Sequence, residues 1–144
     1  MMITIEKINA LSKEKVVDFL KSVPSIDKLD DNILKNAVIA LDGEKVVGCI
    51  AFEIFGVKGL VRYFVFKKML ETIYLEKLLN RLEQQAIVEK INTLVCIAEC
   101  DEIEELFKSL GFEVVLEKNI FVNEENVKKT SFKNARFLRK SLID

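Results

Sequence analysis

The chain of 144 residues contains no histidine and no tryptophan. Without imidazole, Ser-His-Asp and Cys-His nucleophile systems, histidine metal triads and a histidine general base are all excluded. Any chemistry must come from carboxylates, lysine, tyrosine, hydroxyls, thiols, backbone amides or a bound cofactor. An excess of basic charge is also missing: 22 basic residues face 23 acidic ones, for a formal charge of -1. A protein that lives on nucleic acid usually carries a basic surplus, so nucleic acid is not an expected partner. No uncharged apolar run approaches the ~20 residues of a membrane span. The opening Met1-Met2-Ile3-Thr4-Ile5-Glu6 lacks the charged-then-apolar pattern of a signal peptide. Cysteine is scarce and odd in number (Cys49, Cys96 and Cys100), with spacings that match neither a zinc ribbon nor a Cys-x-x-Cys motif. Free thiols in a reducing, cytoplasmic compartment are expected, with no membrane and no metal.

What is present suits one folded domain over residues 1–144. Half the residues are hydrophobic and 31% are charged, enough for a sizeable core and a solvated surface. Ile3 to Ile8 reads as a strand. Ser12 is placed as a helix N-cap, with Glu14 in the first turn and Val16, Phe19, Leu20 and Val23 at helical spacing, stopped by Pro24. Residues 25–35 read as a second short helix. Asn36 to Leu41, Lys45 to Phe55 and Leu60 to Phe66 form an antiparallel meander, turned by Asp42-Gly43 and by Gly56 to Gly59. The period then changes: Leu75, Leu78, Leu79, Leu82 and Ala86 share one helical face.

Thr93 to Ala98 reads as a buried strand, and Glu102 to Leu110 as a helix with Gly111 as its C-cap. Phe112 to Leu116 and Arg136 to Leu142 read as the last strands, flanking a polar stretch that holds the apolar island Ile120-Phe121-Val122. The expected fold class is α/β: a mixed, mainly antiparallel central sheet with helices on both faces.

Three segments resemble the GNAT acetyltransferase superfamily: Leu60-Val61-Arg62-Tyr63-Phe64-Val65 with the following helix Glu76-Lys77-Leu78-Leu79, the helix end Leu106-Phe107-Lys108-Ser109-Leu110-Gly111-Phe112, and the closing strand Arg136 to Leu142. The resemblance implies the acyl-CoA N-acyltransferase fold. It also implies acetyl-CoA or another acyl-CoA as cofactor, held in a V-shaped opening between the fourth and fifth strands, and a small amine or peptide amine as acceptor. By the same resemblance the strand backbone at Phe64, Val65 and Phe66 would hold the cofactor arm. The loop and helix start Leu70, Glu71, Thr72, Ile73, Tyr74 and Leu75 would meet its phosphates, and Cys100 and Phe107 would flank it.

Within that resemblance, the family's Arg/Gln-x-x-Gly-x-Gly/Ala signature falls on Leu70, Ile73 and Leu75, all large and apolar. Glycines serve there because backbone N–H groups cradle the pyrophosphate and a Cβ crowds its approach. The family's proton-donating Tyr is replaced by Phe107, and an Asn that often begins the last helix corresponds to Cys100. Losing two charge-assisted hydrogen bonds would weaken cofactor binding ~10²–10⁴-fold. Main-chain N–H groups survive any substitution. Met69, Leu70, Ile73 and Leu75 therefore read either as packing residues, in the core or against a partner, or as an altered cofactor loop.

The catalytic candidates are Glu53, Tyr63 and Tyr74. Glu53 is a strand carboxylate that a base role or simple exposure would explain, as for Glu99 and Asp101 beyond the fifth strand. Tyr63 and Tyr74 are the only tyrosines, each placed to supply a proton or merely to pack. Lys67 and Lys68 could meet phosphate by charge. The basic run Lys128, Lys129, Lys133, Arg136, Arg139 and Lys140, with Phe132 and Phe137 interleaved, fits either nucleic-acid stacking or edge protection. Two functions are expected: acyl transfer from acyl-CoA to an unknown amine with an atypical cofactor site, or a non-catalytic GNAT-like domain that binds a partner or a different ligand. Either is compatible with a homo-oligomer.

Overall fold

The computed structural model describes residues 2–24, 26, 28–98, 100–115, 121–122, 125–126 and 136–143. The elements are β1 (Ile3–Lys7), α1 (Lys13–Lys21), α2 (Asp31–Leu34), β2 (Val38–Asp42), β3 (Lys45–Phe55), β4 (Lys58–Phe66), α3 (Thr72–Val88), β5 (Thr93–Ala98), α4 (Asp101–Ser109), β6 (Glu113–Val115), β7 (Phe121–Val122), β8 (Glu125–Asn126) and β9 (Arg136–Ser141). Seven strands form one sheet in the order β1-β2-β3-β4-β5-β9-β6, and β7 pairs with β8 separately. Every neighbouring pair in the large sheet is antiparallel except β4–β5. This is the mixed, mainly antiparallel sheet that the alternation of strand and helix periods predicts.

Helices cover both faces. Val47, Ile50, Phe52 and Val61 pack with Leu75, Leu78, Leu79 and Leu82 of α3 and Phe107 of α4. Val46, Cys49, Ala51 and Tyr63 pack with Val16 and Leu20 of α1 and Ile33 and Leu34 of α2. That double burial explains why β3 is buried without a break from Val46 to Phe52 rather than alternating. At its far end α4 stops at Gly111, whose φ of +98° suits a residue without Cβ. Lys140 of β9 then donates to the Leu110 carbonyl at 3.1 Å and pairs with Glu83 of α3 at 2.8 Å. A cation thus meets the negative end of the α4 dipole and ties both helices to the sheet.

Two expectations are corrected. The helix expected over 25–35 is the single turn α2 (Asp31–Leu34), because Asp30 is extended and caps it by accepting from the Asn32 N–H. Ser12 makes no side-chain cap. The entry to α1 is instead organised by Asn9, whose side chain accepts from the Leu11 and Ser12 N–H groups. In the polar stretch, the apolar island contributes Phe121–Val122 to a short ladder with Glu125–Asn126. Leu116 and residues 118–120 lie outside the described residues, as do Lys128, Lys129, Phe132 and Lys133. Among the described residues no helix is long and apolar enough to cross a membrane.

Candidate functional site

The parallel pair β4–β5 is short. Lys58, Gly59 and Leu60 match Thr93, Leu94 and Val95, and there the pairing ends. Beyond that point β4 continues beside β3 to Phe66, while β5 continues beside β9 to Ala98. The strands part, and the β5-facing backbone of residues 61–66 has no strand partner among the described residues. An unpaired strand edge inside a sheet is a ready acceptor for an extended chain that can exchange amide hydrogen bonds.

A bulge shapes this edge. Between the matched pairs Cys49–Val65 and Ala51–Arg62, β4 carries one residue more than β3. The extra residue accompanies Tyr63, whose φ of +54° places a bulky side chain in the left-handed region. As a result Arg62 and Tyr63 address the same face, the one under α1 and α2, and the Arg62 guanidinium lies 5.5 Å from the Tyr63 ring centroid. Phe64 goes to the other face. There its ring meets Phe66 at 5.2 Å and Phe107 of α4 at 5.4 Å, and Phe107 meets Phe112 at 5.1 Å. These rings join the two sides of the parting beneath α3 and α4.

The turn from β4 into α3 is closed by the Leu70 N–H donating to the Lys67 carbonyl at 2.9 Å. Leu70 and Leu75 are buried in the core. Leu70 packs so close to the sheet that a Cβ on Gly48 would stand 3.0 Å from its Cδ2. Met69 and Ile73, by contrast, are 49% and 50% exposed. The helix begins with Glu71 as N-cap, no side-chain cap and no acid in the first turn, and Glu71, Thr72 and Ile73 are exposed. The first N–H groups of a helix have no intrahelical partner, so this end offers free donors.

Each sequence candidate has a definite place. Glu53 is half-exposed and accepts from Arg62 at 2.6 Å, the neighbouring-strand partner that the sequence did not suggest. The Tyr63 hydroxyl accepts from the Asp30 N–H at 2.9 Å and donates to the Lys28 carbonyl at 3.2 Å, so both its bonding roles are occupied by the loop before α2. The Tyr74 ring is half-buried beneath the Lys77 ammonium, 5.5 Å from its centroid, and its hydroxyl has no hydrogen-bond partner among the described residues. Phe64, Val65 and Phe66 lie on the unpaired part of β4, and Phe107 is buried at 3% exposure.

The three cysteines behave differently. Cys100 is exposed at the α4 N-cap. Burial pushes the Cys49 thiol up to about 12 and raises that of Cys96 further, against a backbone hydrogen bond from Leu138 that lowers it. Both buried thiols are therefore inert. Glu99 lies outside the described residues, and Asp101 is exposed in the first turn of α4. The described part of the basic run is neutralised: Arg136 pairs with Glu104 at 3.4 Å, Arg139 with Glu113 at 3.7 Å and Lys140 with Glu83.

Comparison with solved structures gives the fold. The chain superposes along its full length on N-acetylglutamate synthase from Neisseria gonorrhoeae, crystallised with coenzyme A and N-acetyl-glutamate, at a TM-score of 0.76 and 16% identity, spanning 36% of that protein. An acetyltransferase of the GNAT family from Staphylococcus aureus matches over 99% of this chain and 100% of its own, at a TM-score of 0.71 and 16% identity. Ard1 from Thermoplasma volcanium matches over 100% of both chains at a TM-score of 0.70 and 10% identity. No protein-family model matches the sequence, and no curated protein matches it. The architecture is the GNAT acyl-CoA N-acyltransferase fold.

Proposed function

We propose that this chain is a GNAT-type N-acyltransferase, residues 1–144 acting as one unit that moves an acyl group from acetyl-CoA or another acyl-CoA to a small amine or peptide amine. The observation that carries the reading is the unpaired edge of β4 beyond the β4–β5 pairing, bent by the Tyr63 bulge. A domain that had given up an extended ligand would be expected to pair or cover such an edge, because an open edge invites aggregation. The three thiols, none of them in a disulfide, suit a reducing cytosol.

The residues present fit the arm of a phosphopantetheine-bearing ligand through backbone rather than side chain. The β5-facing edge of β4 over Phe64, Val65 and Phe66, where alternate residues present their amide and carbonyl, would hold its arm, and the start of α3 lies where β4 ends. Leu70 and Leu75 are turned into the core, so of the three bulky signature residues Ile73 alone stands exposed at the start of the helix. The cofactor supplies the activated thioester. The chain supplies alignment, which alone can contribute ~7–11 kcal/mol to an acyl transfer. Tyr74 is the tyrosine with a free hydroxyl among the described residues. Glu53, held by Arg62, lies on the α1/α2 face, where it can meet a cationic amine.

Thermal unfolding with and without acetyl-CoA tests the reading. At ~100 times its dissociation constant a ligand stabilises by about 2.7 kcal/mol, and a domain of this size then gains roughly 5–10 °C in Tm. Thiol release from acetyl-CoA in the presence of an amine panel follows. No Tm shift at millimolar acetyl-CoA, butyryl-CoA and succinyl-CoA would reject the proposal.

A further inference from the structure

Beside the end of β4 lies a groove of about 590 Å³ on the α1 side of the sheet, bounded by α1, the β2–β3 hairpin and residues 65–67. Three lysines line it from three different elements: Lys15 from α1, Lys45 from β3 and Lys67 from the residue after β4. Asp18 and Glu44 also line it, so cations exceed anions by one. Lys15 reaches the Glu44 backbone carbonyl at 3.4 Å, which leaves the Glu44 carboxylate without a recorded partner among the described residues. The Lys67 N–H donates to the Val47 carbonyl at 2.9 Å, which fixes the position from which its side chain departs.

Topology decides what reaches this groove. The β4–β5 parting is closed at its Leu60 end by strand pairing and opens toward Phe66. An extended arm laid along the free edge of β4 away from the paired end runs up to Phe66 and Lys67, which also line the groove. The alternative resting place for the far end of such an arm is the start of α3. There the N-cap residue is Glu71, an acid whose side chain makes no cap hydrogen bond, and Ile73 adds a β-branched side chain to the first turn. An anion is repelled by the first and crowded by the second. Lysine, a compact charge on a flexible stem, suits a phosphate whose position is not fixed by a glycine cradle.

We propose that this groove holds the phosphate groups of the acyl-CoA, with Lys15, Lys45 and Lys67 replacing backbone contacts at the α3 N-terminus. The inference rests on the acyl-CoA reading above.

Isothermal titration with coenzyme A, dephospho-coenzyme A, pantetheine and inorganic pyrophosphate separates the two. Lys15→Gln, Lys45→Gln and Lys67→Gln should each weaken coenzyme A about two- to fivefold, as exposed ion pairs do, and leave pantetheine unchanged. Each Lys→Arg variant should restore binding, and higher salt should erase the difference. Asp18→Asn removes a like charge and should tighten coenzyme A, a gain that misfolding cannot imitate. Equal losses for coenzyme A and dephospho-coenzyme A would place the pyrophosphate in the groove; a loss confined to coenzyme A would place the ribose phosphate there. Unchanged coenzyme A affinity in all three Gln variants would overturn the inference while leaving the acyl-CoA reading intact. Failure of the wild type to bind both coenzyme A and pantetheine would remove the acyl-CoA reading itself. Pyrophosphate binding by a chain that ignores coenzyme A would show that the groove serves a free phosphate and overturn its assignment to the cofactor.

Discussion

Replacing Tyr63 by Phe removes a single oxygen from the centre of the β4 bulge. That oxygen accepts from the Asp30 N–H at 2.9 Å and donates to the Lys28 carbonyl at 3.2 Å. Each such bond is worth about 0.5–1.5 kcal/mol net. Lys28 and Asp30 are exposed enough for water to replace part of what is lost, so the lower half of the range applies, about 1–2 kcal/mol for the pair. Asp30 also caps α2, and a looser cap loosens the turn that buries Ile33 and Leu34 against β3. The ring, its left-handed backbone and the Arg62 contact all remain. Calorimetry should therefore show Tm falling by roughly 3–8 °C, with a matching fall in the urea midpoint and the same m-value. The Tm gain produced by acetyl-CoA should persist, because the hydroxyl is committed to the loop rather than to the cleft. An unchanged Tm joined to a large loss of acyl transfer would refute this reasoning, since it would assign the hydroxyl to proton transfer.

Gly48→Val should cost about 1–3 kcal/mol by overpacking, because its added carbons collide with Leu70 and Leu78, and proteolysis should then cut first near residues 67–71. Phe107→Tyr should lower Tm by about 3–10 °C without raising acyl transfer, since a hydroxyl added to a ring exposed at 3% between Phe64 and Phe112 costs about 1–3 kcal/mol when unpaired. Mass spectrometry after brief exposure to a thiol reagent should find Cys100 modified, with Cys49 and Cys96 reacting only on unfolding. Stability should also decline at alkaline pH. Burial pushes the Cys49 thiol of the folded chain up to about 12 from the ordinary thiol value of 9.0. The stability linked to it is full below pH 9 and drains away as pH rises from 9 toward 12, because only the unfolded chain gains by ionising. Cys49→Ala should flatten that decline in pH-dependent urea titrations, and an unaltered slope would contradict the burial argument.

The fold was legible because its determinants are periodic. The stripe from Leu75 to Ala86, the Asp42-Gly43 turn and the unbroken apolar run of β3 each announce an element through local pattern alone. The short extent of α2 was not legible, since its cap Asp30 is itself held through its N–H by the Tyr63 hydroxyl, 33 residues away in sequence. The same limit governed the site. Leu70, Ile73 and Leu75 look alike as letters, yet two are core residues and Ile73 is half-exposed. No spacing rule separates them, because the inward turn of Leu70 follows from a missing Cβ on Gly48, an element away. Glu53 carried no sign of Arg62, whose approach depends on strand register.

Side chains and backbone therefore report on this protein differently. The sequence lacks features that side chains can advertise: imidazole, glycines at positions 73 and 75, a tyrosine at position 107 and an asparagine at position 100. What an extended acyl carrier needs first is none of these. It needs a strand edge whose amides are unpaired and an exit that is not blocked, and both are properties of how β4 leaves β5 after Leu60. Substitutions that keep the β4 bulge and the short β4–β5 pairing preserve that edge whatever letters occupy it. Under the proposed assignment, substitutions at the phosphate end are tolerated where charge arrives from elsewhere, the role given to Lys15, Lys45 and Lys67. Large apolar residues at positions 70, 73 and 75 are thus compatible with cofactor binding when, as for Leu70 and Leu75, they face the core and the anion finds cations at the end of the same strand.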